Sequence, residues 1–215
     1  MRRLRCPTIR QSMSLTLSNK TIIRSIGFAP ISPKQLSQIV DLEKLLLEDR
    51  KTIESIWTSY HQDSATSASA MVLNKDEGDI IKSRAKTSPL FIVPVFKSSS
   101  LDSYIMLLSQ YQNSGGFIMT YLDEFRRNPD TASPWMSLML YGDLEVTKGV
   151  TLLRSDFTAH VTKKENVAVN RMIVDAYLSE DVYHGYVHTF NKEPNKFDFD
   201  KYLALWRSKY SSSVT

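Results

Sequence analysis

The stretch SPLFIVPVFKSSSLDSYIMLLSQY, residues 88–111, decides the fold. It contains two apolar runs, residues 90–96 and 104–111, which are separated by a polar segment rich in serine. Runs rich in β-branched and aromatic residues and bounded by turn residues are typical of neighbouring strands in an antiparallel sheet. Pro94 lies inside the first run and lacks the amide hydrogen that a central strand needs, so we expect this strand at a sheet edge or at a bulge.

Strands and helices alternate in the rest of the chain. Three more apolar runs indicate strands, at residues 117–121, 135–141 and 150–154. The pairs Asn74 with Glu77 and Thr162 with Glu165 have the spacing of helix capping boxes. The sequence therefore predicts an α+β fold, a mainly antiparallel sheet of about five to seven strands with N-terminal and C-terminal helices packed on it.

The basic residues are concentrated at the start of the chain. Seven of the 27 lysines and arginines, and none of the 23 aspartates and glutamates, fall within residues 1–40. The remaining 20 basic residues face 23 acidic ones, so the body lacks the basic surface of a nucleic-acid-binding protein and we expect no such partner. An arginine-rich, acid-free head is typical of a mitochondrial presequence, which we place at residues 1–30 and expect to be cleaved. A basic tail without a targeting role is the alternative.

The sequence contains no catalytic motif. It has seven glycines but no phosphate-binding loop and no dinucleotide-binding pattern, and its one cysteine, Cys6, falls in the predicted presequence. His184 and His188 have the spacing of two metal ligands on a helix, but no third ligand is implied, and we favour an exposed helix face. No apolar run is long enough to span a membrane. We therefore predict a soluble protein-binding protein rather than an enzyme, with no metal, no cofactor and no membrane partner.

The segment before the hairpin is predicted to be helical. Ile53, Ile56, Trp57 and Tyr60 fall at i, i+3, i+4 and i+7, so they share one face of a helix. This face either packs on the sheet, which we favour, or is offered to a partner. The predicted organisation is an N-terminal helical segment at residues 31–62, a linker of small residues at 63–72 and an α+β domain at 73–210.

Several motifs occur in a characteristic order. They are I-x-x-I-W-x-x-Y-H at Ile53–His61, R-A-K-x-S-P-L-F-I-V-P at Arg84–Pro94, T-Y-L-D-E-F at Thr120–Phe125, L-M-L-Y-G-D-L at Leu138–Leu144, K-G-V-T-L-L-R at Lys148–Arg154 and F-N-K-E-P-N-K-F-D-F at Phe190–Phe199. In this order the chain resembles the mitochondrial ATP synthase F(1) complex assembly factor 1 family across most of its body. Two positions depart from the family pattern, because Tyr121 stands where a proline is frequent and Ser155 where a glycine is frequent.

The resemblance implies a function that the motifs alone do not show. It implies a chaperone that binds the unassembled β subunit of F(1) in the mitochondrial matrix and prevents its aggregation until the α subunit replaces it. We therefore expect the β subunit as partner, a matrix location and a monomer. The predicted partner contacts are Trp57, Tyr60, His61, Phe91, Pro94, Tyr141, Phe190 and Asn191.

Other interpretations stay open at the level of sequence. One is a small matrix enzyme whose site is assembled from scattered residues such as His61, Asp102 and Tyr141. Another is an accessory subunit of a mitochondrial complex. Trp57 and Tyr60 are either anchors of an interface or ordinary core residues, and helical spacing favours the core.

Overall fold

The structure of the chain, a computed structural model, describes residues 34–62, 67–97 and 100–210. The predicted presequence, residues 1–30, lies outside the described residues. The helices are α1 (Leu42–Leu45), α2 (Arg50–Gln62), α3 (Lys75–Thr87), α4 (Leu122–Arg127), α5 (Glu145–Lys148), α6 (Lys163–Leu178), α7 (Glu180–Val182), α8 (Thr189–Lys192) and α9 (Phe199–Tyr210). A π-helix at Tyr183–His188 joins α7 to α8, and 3₁₀ turns occupy Leu36–Gln38 and Pro194–Lys196.

Six strands form one sheet in the described part of the chain. They are β1 (Ala68–Asn74), β2 (Leu90–Lys97), β3 (Ser100–Gln112), β4 (Gly116–Tyr121), β5 (Pro134–Tyr141) and β6 (Val150–Phe157). Their order across the sheet is β1-β6-β5-β4-β3-β2, and every neighbouring pair is antiparallel. The predicted α+β fold with a mainly antiparallel sheet is confirmed.

The hairpin of strands β2 and β3 forms one end of this sheet. Strand β2 is an edge strand, and Pro94 lies opposite Met106 of β3. The prediction that the proline belongs at a sheet edge is confirmed. Among the described residues no strand pairs with the outer side of β2, so the missing amide hydrogen of Pro94 does not interrupt the sheet hydrogen bonds there.

The sheet curls around helix α6. This helix contacts both edge strands, β1 and β2, as well as β6, and its Val169, Ile173 and Tyr177 are fully buried. Helix α9 contributes the buried Tyr202 and Trp206 to the same core. The main hydrophobic core therefore lies on the concave face of the sheet.

The N-terminal helices cover part of the opposite face. They form a second cluster with strands β5 and β6, made of Leu36, Leu45, Ile53, Trp57, Met139, Tyr141, Leu144, Val150 and Leu152. Because these side chains are almost fully buried, the N-terminal helical segment is packed on the sheet as predicted.

Helices begin where the capping residues predict them. Asn74 and Glu77 form a reciprocal capping box at the start of α3, and Thr162 and Glu165 form another at the start of α6. The Asp49 carboxylate accepts a hydrogen bond from the Thr52 amide at 2.8 Å before α2. Each cap satisfies backbone amides that the helix itself leaves without a partner.

Strand β1 begins inside the segment that was predicted to be a linker. Residues 68–72 are part of the sheet, so the predicted linker of residues 63–72 is wrong for this half. The sequence Ala68-Ser69-Ala70 has little intrinsic preference for a strand. Pairing with β6 and packing against α2 hold it extended, so tertiary contacts override local preference here.

Candidate interaction surface

The apolar face of helix α2 is divided between core and surface. Ile53 and Trp57 are fully buried and His61 is 3% exposed. Ile56 and Tyr60 lie one position earlier than Trp57 and His61, so they form the adjacent stripe on the helix surface. They are 41% and 55% exposed. The sheet therefore covers only part of this helix face, and the rest faces outward.

Trp57 is the centre of the buried part. Its indole N–H donates to the Leu153 carbonyl of β6 at 3.0 Å, and its ring meets His61 and Tyr141 edge to face at centroid distances of 4.4 and 6.2 Å. A partner cannot reach this side chain without unfolding the cluster. Trp57 therefore belongs to the core, which is the interpretation that helical spacing favoured.

His61 is held in one neutral tautomer. Its Nδ1 lies 2.8 Å from the Trp57 carbonyl, which only accepts, so Nδ1 carries the proton. Nε2 is then the acceptor for the Arg154 guanidinium at 3.2 Å. Burial, with the charges of Arg154 and Lys163, lowers the pKa of His61 below its ordinary value. Protonation would place an N–H against another donor, so the contact is structural rather than catalytic.

Tyr141 also has a structural role. Its hydroxyl donates to the Lys34 carbonyl at 3.0 Å, and burial raises its pKa to about 12. His61 and Tyr141 both contact the ring of Trp57, as the alternative of an enzyme site built from His61 and Tyr141 would require. Their polar atoms, however, already form hydrogen bonds with backbone carbonyls and with Arg154. The side chain of Asp102 lies outside the described part.

Exposed large apolar residues concentrate beside helix α2. Four of the six in the described part of the chain are Leu46, Leu47, Ile56 and Tyr60, and Leu47 is 85% exposed. Val146 of α5 is 91% exposed, and the neighbouring Lys148 ammonium donates to the Glu48 carbonyl at 2.7 Å, which places α5 beside the loop between α1 and α2. We call Leu46, Leu47, Ile56, Tyr60 and Val146 the apolar ridge.

Three residues of this ridge were not predicted from the sequence. Leu46 and Leu47 follow the buried Leu45 directly. Three consecutive leucines cannot all face one side of a helix, so this run did carry a signal that part of it is exposed. Val146 carried no such signal, because its short helix shows no periodicity.

The remaining predicted contacts lie at the far end of the sheet. Phe91 is fully buried and packs edge to face against Phe190 and Tyr202 at 6.0 and 5.3 Å. Pro94 is buried, whereas Phe190 and Asn191 are half-buried. The structure therefore separates the eight predicted contacts into two groups, one around Trp57 and one around Phe91, and Tyr60 is the exposed member.

The described residues offer little material for metal chemistry. They contain no group of three or more His, Cys, Asp or Glu side chains that could hold a metal ion. His184 lies 3.1 Å from Glu180, and its ring centroid is 5.8 Å from that of His188, on a surface helix. No helix in the described ranges has both the length and the apolarity needed to cross a membrane.

The fold places this chain in the class of α+β proteins, with exposed apolar side chains beside helix α2. Comparison with known families makes this specific, because the model of the ATP11 protein family matches residues 28–203. This chain therefore belongs to the ATP11 protein family.

A curated relative is consistent with this membership. Protein atp11, mitochondrial, of Schizosaccharomyces pombe is 26% identical over 125 residues. The match covers 57% of this chain and 43% of the relative, so it spans less than half the length of that protein.

Proposed function

We propose that this chain is a chaperone for assembly of the F(1) sector of mitochondrial ATP synthase. It binds the unassembled β subunit in the mitochondrial matrix, prevents its aggregation and is displaced when the α subunit docks. Membership of the ATP11 protein family supports the assembly role. The observation that carries the proposal is the apolar ridge beside helix α2.

The physical basis is that the chaperone covers the subunit interface of the client before its neighbouring subunit binds. A subunit of an obligate ring exposes large apolar surfaces before its neighbours arrive, and such surfaces aggregate. Full burial of an exposed aliphatic side chain contributes roughly 1.5–3 kcal/mol of apolar transfer free energy. Leu47 and Val146 start almost fully exposed, whereas a side chain that is already partly buried, such as Ile56, contributes correspondingly less. The α subunit competes for the same surface by mass action, so release needs no nucleotide.

Two isoleucines provide a matched test of the ridge. Ile56 on α2 and Ile80 on α3 are each 41% exposed and helical. Ile80 lies two positions before Lys82, whose ammonium bonds Glu145 of α5 at 2.7 Å, so Ile80 faces away from α5. Ile56→Ser and Ile80→Ser therefore remove the same side chain on and off the ridge.

The measurement is light scattering of purified β subunit diluted from denaturant, with increasing amounts of the full chain. We expect the wild type and Ile80→Ser to suppress aggregation equally, and Ile56→Ser to need about five to thirty times more protein, since an anchor contributes about 1–2 kcal/mol. Equal loss in both variants would remove the ridge from the proposal. Failure of the wild type to suppress aggregation would remove the chaperone function itself.

The ridge would also suit a permanent subunit interface. Affinity capture from mitochondria separates the two cases. Recovery of free β subunit without the other F(1) subunits supports the chaperone, and stoichiometric recovery within a mature complex identifies an accessory subunit instead.

A further inference from the structure

A second candidate site lies away from the ridge, where strand β2 meets helix α6. The two elements enclose a cavity of ≈ 210 Å³. Its floor includes the buried Val95, Val169 and Met172, and Lys164 and Arg171 of α6 also line it. We call this cavity with its flanking strand the β2–α6 groove.

The size of the cavity limits what it can hold. Sites for cofactors and drug-sized ligands are roughly 300–1,000 Å³. An apolar cavity of about 150 Å³ accommodates a molecule the size of benzene. The β2–α6 groove therefore fits one or two apolar side chains of a larger partner.

Strand β2 offers backbone hydrogen bonds at the same place. Asn191 engages both backbone groups of Leu90, and the Tyr202 hydroxyl donates to the Ile92 carbonyl, so these residues point to the free edge. Because backbone direction alternates along a strand, Pro94 and Phe96 point to the same edge. Both of these residues line the cavity, so the second half of the β2 edge borders it.

The cavity also has a local excess of positive charge. Lys164 and Arg171 line it together with one acid, Glu165. The Glu165 carboxylate is already shared between the Lys97 ammonium at 3.0 Å and the Thr162 amide at 2.8 Å. A rim with two cationic side chains and one acidic side chain favours an acidic occupant.

We propose that the β2–α6 groove binds an extended, acidic peptide segment of a partner protein. The segment adds to the edge of β2 at Phe96 and inserts one apolar side chain into the cavity. Acidic side chains two positions before and after it lie roughly 14 Å apart on the same face of a strand. Lys164 and Arg171 are seven residues apart on α6, roughly 10 Å along the helix, within reach of such a pair. This proposal goes beyond the chaperone function and does not depend on the identity of the client.

The test uses synthetic peptides rather than the client. The probe is a labelled nine-residue peptide with a central valine and a glutamate two positions to each side, capped at both ends. Its controls are the same peptide with lysines for the glutamates, and an N-methylated version that cannot form the strand pairing. Binding to the full chain is measured by fluorescence anisotropy, and the Phe96 amide is followed by NMR.

Charge reversal on the protein locates the site. We expect the double variant Lys164→Glu, Arg171→Glu to weaken binding of the acidic peptide at least about tenfold. Arg126→Glu changes an exposed arginine on α4, and we expect it to have no effect. The lysine peptide and the N-methylated peptide should bind at least about tenfold more weakly to the wild type. Melting temperatures confirm that each variant is folded.

Three outcomes would overturn the proposal. One is absence of binding, or binding of both charge types with equal affinity. Another is binding only after the chain is shortened to end at Tyr210, which would assign the groove to residues 211–215 of the chain itself. The third is a change of oligomeric state in the double variant by light scattering, which would make the groove an interface between copies.

Discussion

The side chain of Asn191 pairs with the backbone of Leu90 as a neighbouring strand would. Its Nδ2 donates to the Leu90 carbonyl at 2.6 Å, and its Oδ1 accepts from the Leu90 amide at 3.1 Å. The Tyr202 hydroxyl covers the Ile92 carbonyl, and Pro94 has no amide to expose. The first half of the β2 edge is thus closed to other strands, which protects the protein from edge-to-edge aggregation.

Asn191→Ala should open this edge. It removes both hydrogen bonds to Leu90, together with the one that Nδ2 donates to the Val187 carbonyl. It also leaves a partly buried amide without a partner, so we expect the free energy of unfolding to fall by about 1–3 kcal/mol. Chemical denaturation measures this loss, and exchange of the Leu90 amide should become faster. Asn195→Ala, at an exposed position, is the control and should change neither quantity. Equal stability of the two variants would show that the edge pairing does not contribute.

Gly78 allows helix α3 to approach strand β6. A Cβ at this position would overlap the side-chain hydroxyl of Thr151, which is fully buried. In an exposed helix, Gly→Ala stabilises by up to about 1 kcal/mol. Here we expect Gly78→Ala to destabilise by about 1–3 kcal/mol, because the added methyl overpacks the contact. A methyl group added at Gly185 would extend into open space, so Gly185→Ala should be neutral or stabilising in the same thermal melts, and an equal gain at Gly78 would refute the close approach.

Local patterns predicted the elements that depend on local chemistry. The hairpin follows from its two apolar runs, and the starts of α3 and α6 follow from capping residues a few positions apart. Strand β1 could not be predicted, because its first residues are small and its extended form depends on β6. The contact of Gly78 with Thr151 could not be predicted from the sequence either, since it joins elements that are distant along the chain.

The sequence predicted the apolar face of α2 but not which part of that face is exposed. Spacing placed Ile53, Ile56, Trp57 and Tyr60 on one side of a helix. Only the position of β5 and β6 decides that Ile53 and Trp57 are buried and that Ile56 and Tyr60 are exposed. A periodic pattern gives the direction of an apolar face, whereas the width that is covered depends on the neighbouring elements.

The neutral state of His61 makes stability depend on pH. An unfolded histidine has a pKa of about 6.5, and burial together with Arg154 lowers the pKa of His61 in the folded state. As the pH falls below about 6.5 the unfolded state binds the proton first, so the free energy of unfolding decreases. The decrease ends below the folded-state pKa, where both states are protonated.

His61→Gln should reduce this pH dependence. The amide can still accept from Arg154, but it does not titrate. We expect the difference in the free energy of unfolding between pH 7.5 and pH 5.5 to be smaller in this variant than in the wild type. Asn195→Ala alters an exposed side chain that does not titrate and should keep the wild-type difference. An unchanged difference in His61→Gln would mean that His61 is not held neutral by the fold.

Trp57 and Tyr60 should separate stability from client binding. Trp57 is fully buried and Tyr60 is 55% exposed, although they lie on one helix face. Trp57→Ala leaves a large cavity and removes the hydrogen bond to Leu153, so we expect a loss of about 3–5 kcal/mol of folding free energy. Tyr60→Ala should change stability by about 0.5 kcal/mol or less and weaken capture of the β subunit by on the order of 2 kcal/mol. Denaturation and β-subunit binding are measured on both purified variants. A large loss of stability in Tyr60→Ala without weaker binding would place Tyr60 with the core and remove it from the ridge.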